Sequence, residues 1–291
     1  MKSGPGSEPS RRRPFWRAVA GLAILIVALV AFAWQQGGDS DGDGPLNAIA
    51  AAAERTQNEP GGRSAMRAVF SSSTPSESFT ISGRGVFDAE GRTRSILTFR
   101  RPESEELVEM QMIGDEATMY MYMSSDLFGS LPGGRKWMGL DLSLLGGSDA
   151  PLPADGDAMG ELAILETVAD DVQKLGEEDV RGVSTTRYHG EVDVSERTEQ
   201  LREEGAEKLA SEIEEDPPMQ IEVWIDSDGL VRRMRYVKAE RGEDGEKAPA
   251  TDMRVDFFDF GIEPEIELPD SNEVFDATAI GREAAGLPSD E

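Results

Sequence analysis

The chain has 291 residues, of which 38% are hydrophobic, with 29 basic against 57 acidic side chains and a net charge of −28. That length allows one large or two small domains with a sizeable core, and that charge excludes bulk electrostatics as the means of recruiting nucleic acid or anionic headgroups. Cysteine is absent, which excludes disulfides, thiol nucleophiles and cysteine lipidation, and one histidine, His189, cannot make a histidine-rich metal site.

Residues 1–14 are rich in Gly, Ser, Pro and Arg and are predicted to be disordered. Residues 15–34 form an apolar run with one charge, Arg17, near its start and tryptophans at 16 and 34. As a helix it is long enough to cross roughly 30 Å of hydrocarbon, and it exceeds the usual apolar core of a cleaved signal peptide. A retained signal anchor is therefore expected. Lys2, Arg11, Arg12, Arg13 and Arg17 lie before or at the start of the span, and Asp39, Asp41 and Asp43 follow it. The positive-inside rule then gives a single-pass protein of the cell membrane, N-terminus cytoplasmic and main domain extracytoplasmic. Residues 35–44 read as an acidic linker. Their alternating aspartates imitate half of a calcium loop, but Ala50 stands where a closing glutamate is needed, so no metal site and no cofactor is expected.

A helix is predicted from Pro45, with Leu46, Ile49, Ala50 and Ala53 on one face, ending before Pro60-Gly61-Gly62. Strands follow at 64–71, 78–88, 92–101, 107–114 and 117–124, with connections short enough to make neighbours antiparallel. Gly83 and Gly85 inside the second of these suggest a bulge or bend. Residues 133–142 read as a polar-aromatic segment. A helix is expected at 158–174, then a turn at 176–182 and a strand at 183–194. A second helix at 196–214 is charged on nearly every side and reads as a solvated surface helix. Strands at 219–226, 230–238 and 251–260 complete the domain, the first two joined by the turn Ser227-Asp228-Gly229. The fold class is α+β, one domain over 45–275 built on an antiparallel sheet of about nine strands, with residues 276–291 as a disordered tail.

The hairpin 107–123 stands out. Alternation places Val108, Met110 and Met112 on one face of its first strand and Met119, Met121 and Met123 on one face of its second. Methionine is unbranched and repacks cheaply, so such a face suits irregular apolar ligands as well as an ordinary core.

The run from Gly176 through Val180 and Gly182 to Tyr188, then Val223-Trp224-Ile225-Asp226 with Gly229 and Arg232, resembles actinobacterial LppX/LprG-type lipoproteins. Lys136-Trp137 and the closing Phe257-Phe258-Asp259-Phe260-Gly261 fit the same layout. The resemblance covers roughly residues 45–275. It implies a LolA-like half-barrel, a strongly curved antiparallel sheet wrapped around helices, with an apolar cavity for acyl chains and a role in binding or carrying lipid or lipoglycan. Phe79, Ile81 and Trp137 join the hairpin residues as candidates for lining that cavity. Proteins of this type are typically tethered by an acylated cysteine, and this chain has none.

His189 alternates onto the face of Thr185 and Arg187, opposite Thr186 and Tyr188, and no nucleophile, base and orienting group come together. No enzyme activity is expected. The arginines at 92, 94, 100, 101, 232, 233 and 235 suit either an acidic headgroup at a cavity rim or simple edge protection. The leading expectation is a membrane-anchored lipid-binding domain. The alternative is an envelope sensor or scaffold that binds a partner protein.

Overall fold

The computed structural model describes residues 44–71, 78–100, 107–115, 118–123, 131–141, 172–191, 219–241 and 247–284, with the separate positions 198, 199, 202, 210, 211 and 214. The expected membrane span, the acidic linker up to residue 43 and most of the helix expected at 158–174 lie outside them. No described helix is long and apolar enough to cross a membrane.

Helix α1, Pro45–Gln57, opens with proline in its first turn, where the missing N–H costs nothing. Its buried stripe is Ile49, Ala52, Ala53 and Thr56. Small side chains let the helix sit close against strands β9, Gln220–Asp226, and β10, Val231–Arg241. Thr56 fixes the docking. Its hydroxyl donates to the Ala52 carbonyl at 2.6 Å and accepts the Val231 N–H at 2.9 Å, fully buried.

The remaining strands are β1 Gly61–Phe70, β2 Phe79–Asp88, β3 Thr93–Arg100, β4 Leu107–Asp115, β5 Thr118–Met123, β6 Trp137–Asp141, β7 Gln173–Val180, β8 Val183–Glu191, β11 Lys247–Phe258 and β12 Val274–Asp276. They form a single twelve-stranded sheet in the order β12-β6-β5-β4-β3-β2-β1-β11-β10-β9-β8-β7. All pairs are antiparallel except β12 with β6. Two meanders, β1–β6 and β7–β11, are thus joined edge to edge through β1 and β11, with Arg63 to Phe70 facing Phe258 to Thr251. One continuous core draws side chains from α1, β1–β5 and β8–β11, so the sheet curves towards it. Among the described residues this is a curved, mostly antiparallel sheet with few helices, in agreement with the expected class.

Two hairpin turns share one design. Asp88 and Asp226 each accept backbone N–H groups two and four residues on, at 2.9–3.0 Å, and Gly91 and Gly229 supply the positive φ. Asp226 also binds Arg232 Nε at 2.5 Å, and Asp88 binds Arg92 Nε at 2.8 Å.

Several expectations are corrected. Gly83 and Gly85 sit in an unbroken ladder rather than a bulge. A Cβ at Gly83 would lie 2.4 Å from a Leu97 methyl, so this glycine makes room for core side chains. The register shifts lie elsewhere, beside Leu175, Arg232 and Ala239. Residues 137–141 are a strand, and 173–180, expected as a helix end and a turn, are edge strand β7. Residues 278–284, expected in a disordered tail, form helix α2, Thr278–Ala284. Thr198 and Ala210 of the presumed solvated helix are fully buried, Ala210 within the core.

Candidate functional site

The methionine hairpin forms as its alternation predicts. Across β4 and β5, Met110 faces Met123, Met112 faces Met121 and Gly114 faces Met119. Strand β6 extends the same face, since Met121 is opposite Met138 and Met119 opposite Leu140. On the other side β3 contributes Phe99 opposite Val108 and Leu97 opposite Met110. The inner face of β3–β6 is therefore a continuous apolar patch rich in thioethers.

Its burial is graded. Met110, Met112 and Met119 are 4–7% exposed and Leu97 is fully buried, whereas Val108, Phe99, Met121, Met138 and Leu140 are half-buried. Met121, Leu140 and Phe99 pack against the core from its margin. Ile81, 1% exposed and opposite Phe99, belongs to the closed core. Phe79 is half-buried and stacks on Phe70 at 4.5 Å between ring centroids.

Trp137 is the exception among the candidate residues. Strand parity places it on the outer face, away from Met138 and Leu140, where it packs against Tyr122 at 5.6 Å. Reading 133–142 as a polar-aromatic segment, with no strand assigned, hid this, because a strand makes neighbouring residues face opposite ways. Met138 and Leu140 are the residues missed. The signal was present, for Met138, Leu140 and Leu142 alternate after Trp137.

Polar chemistry lies on the outer face. Arg233 holds Asp256 with two hydrogen bonds at 2.6 and 3.1 Å, and Arg235 holds Asp252 at 3.0 and 2.9 Å and Glu222 at 3.2 Å. Arg187 binds Glu222, and its Nε is enclosed without an acceptor. The indole of Trp224 donates to Glu178 at 3.1 Å, beneath the guanidinium groups of Arg187 and Arg233. Arg235 is raised above its ordinary pKa, first by its hydrogen bond to Asp252, and Asp252 is held below the usual aspartate range by the same bond. The arginines at 232, 233 and 235 are thus committed to acids on the outer face rather than gathered at an inner cavity rim. Thr185, Arg187 and His189 share that face, as expected, with the Thr185 hydroxyl donating to the Glu178 carbonyl. Among the described residues no three His, Asp or Glu side chains come together in a way that could hold a metal ion.

No protein-family model matches the chain. It is 27% identical over 193 residues to an uncharacterized 31.2 kDa protein from the rplA-rplJ intergenic region of Streptomyces griseus, a match spanning 60% of this chain and 61% of that one. Among solved structures it is similar to LprF of Mycobacterium bovis, with 11% identity, 77% of this chain and 95% of that chain covered, and a TM-score of 0.39. A putative outer membrane lipoprotein-sorting protein domain from Vibrio parahaemolyticus gives 11% identity, coverage of 75% and 93%, and a TM-score of 0.26. The chain is also similar to the Mycobacterium tuberculosis lipoprotein LppX, the type to which its sequence motifs point, with 16% identity over 76% of this chain and 97% of that one and a TM-score of 0.44.

Proposed function

We propose that this chain is a membrane-anchored, extracytoplasmic lipid-binding protein, whose sheet forms a half-barrel around helices with an apolar cavity for acyl chains. The observation that carries this reading is the inner face of β3–β6. Met110, Met112, Met119, Met121 and Met138 share one patch that grades from nearly sealed to half-open. A face selected only for stability favours branched aliphatic side chains with few rotamers, whereas acyl chains of variable length and kink call for side chains that repack cheaply. Ligand-binding faces are typically apolar with few polar groups, and the β3 side of this patch carries only two small hydroxyls, Ser95 opposite Met112 and Thr93 opposite Gly114. The motif resemblance to LppX/LprG-type proteins supports the same ligand class. We assign a binding rather than a catalytic role, because the acids around Trp224 on the outer face, Glu222, Asp252 and Asp256, are held by Arg187, Arg233 and Arg235.

Residues 15–34 supply the anchor that an acylated cysteine supplies in proteins of this type. A domain held by a spanning helix works within reach of its own membrane, which favours binding or presenting lipid there over free carriage. Protease added to protoplasts should then remove the C-terminal domain, and its protection behind an intact membrane would overturn the topology.

Native mass spectrometry of the full-length chain purified from its host tests the ligand. The expected result is an acyl-chain lipid retained at about one per chain. A lipid-free chain that keeps a protein partner through purification would replace this reading with that of an envelope sensor or scaffold.

A further inference from the structure

We propose that the outer face of β11, β1, β2 and β3 is a binding strip for a linear, phosphate-bearing polyanion, held by Arg254, Arg67, Arg84 and Arg100. The inference is independent of the lipid reading, which concerns the opposite face.

Sheet register brings these residues together. One cross-strand row runs Glu222, Arg235, Arg254, Arg67, Ser82, Thr98, Glu109, with successive members directly opposite. Three arginines therefore stand side by side in a chain of net charge −28. Like charges directly opposite each other destabilise a sheet, so the arrangement costs stability unless something negative bridges it. Arg235 is neutralised by Asp252 and Glu222. Among the described residues, Arg254 forms one ion pair, with Asp256 at 3.6 Å, an acid already held by Arg233, and it feels Asp252, which is held by Arg235. Arg67, Arg84 and Arg100 are exposed and, among the described residues, make no ion pair.

Two grooves on this face share Arg67. One, of about 410 Å³, is lined by Arg67 and Arg254 and, at its other side, by Arg235 with its partners Asp252 and Glu222. The second, of about 510 Å³, is lined by Arg67, Arg84 and Arg100 with the hydroxyls of Ser82 and Thr98, and carries one acid, Glu109, on its β4 side. Guanidinium forks beside hydroxyl donors match tetrahedral phosphate oxygens, and Arg is preferred over Lys where that fork geometry matters. The face is the outer side of a sheet that curves towards its core, so a flat bilayer meets it along a narrow line while a flexible chain can bend over it. From β10 to β3 the strip crosses four strand spacings, about 19 Å, which spans several phosphates of a polymer rather than one free ion.

The test uses the full-length chain in neutral detergent, with fluorescently labelled linear polyphosphate as probe. Its comparisons are inorganic phosphate, polyglutamate and phosphatidylglycerol-containing vesicles. The variants are Arg67→Gln alone, Arg67→Gln with Arg84→Gln and Arg100→Gln, and Arg63→Gln as control. Arg63 is exposed, paired with Asp259 at 3.6 Å and outside both grooves. Wild type should bind polyphosphate, more weakly as salt rises. Affinity should fall tenfold or more in the triple variant, measurably in Arg67→Gln, and less than twofold in Arg63→Gln. Melting temperature should hold or rise in the triple variant, because repulsion is relieved. Equal affinity of wild type and triple variant overturns the proposal, as does absence of polyphosphate binding. Arginine-dependent binding of vesicles alone would make the strip a membrane contact instead, and equal binding of polyglutamate would remove the assignment to phosphate.

Discussion

Met112 and Met121 face each other across β4 and β5, so one pair of substitutions distinguishes a lipid cavity from a sealed core. Met112 is 4% exposed, while Met121 is half-buried with Met138 on its other side. A carboxylate at 112 loses its hydration and gains no partner. The expected penalty is about 3–5 kcal/mol, or a fall in Tm of about 6–20 °C at about 2–4 °C per kcal/mol for a domain of this size. At 121 water can follow the new group into the open margin of the patch, and the cost should stay near 1–2 kcal/mol, about 2–8 °C. Met112→Glu should therefore unfold well below wild type, and Met121→Glu should stay folded yet lose its acyl-chain ligand. Thermal unfolding and solvent extraction with mass spectrometry, run on the same sample, read both quantities. Equal losses of Tm in the two variants would show that the patch is plain core. A folded Met121→Glu that still retains lipid would take this face out of the binding site.

Two further outcomes concern the frame. Thr56→Val removes the acceptor of the buried Val231 N–H and should cost about 1–3 kcal/mol in urea unfolding, and a change below a few tenths would mean that α1 is not fixed by this contact. Asp252 is depressed in the folded state, so its pairing with Arg235 stabilises above the unfolded aspartate value and is lost as pH falls through the folded one, in a window below about pH 4. Because its side chain is 45% exposed the effect is small, but Tm measured from pH 5 to pH 2 should fall less steeply in Asp252→Asn than in wild type. An identical acid limb would show that the pair is screened out.

What could be read from the sequence follows from which forces leave a periodic trace. Strands β1 to β5 and β8 to β11 have one face in the core and one in solvent, and this writes itself as alternation. Strand β7, Gln173–Val180, is exposed along its length until Val180. An edge strand covered on neither face has no period to find, and Lys174, Glu177, Glu178 and Asp179 are the charges that keep such an edge from pairing with another chain. Strand β12 is three residues long and pairs in parallel with a strand more than 130 residues earlier, so no local pattern announces it. The β1–β11 pairing that joins the two meanders is equally non-local, because short connections dictate neighbours within a meander and nothing about which edges then meet.

Net charge misleads for a related reason. A total of −28 argues against attraction of any polyanion, and as a statement about the far field it stands. Binding happens within a Debye length of about 10 Å, however, where only the local arrangement counts. The arrangement is set by register. Arg67, Arg235 and Arg254 are scattered over almost 190 residues of sequence, yet the ladder places them in one row. Asp252 and Asp256 flank Arg254 in sequence at two-residue spacing, so they share its face but are drawn sideways to Arg235 and Arg233. Each acid thereby neutralises a neighbour on β10 and leaves Arg254 and Arg67 with unspent donors. A local excess of positive charge can thus arise on one face of a strongly acidic protein, assembled by the pairing of β1, β10 and β11 from arginines distant in sequence.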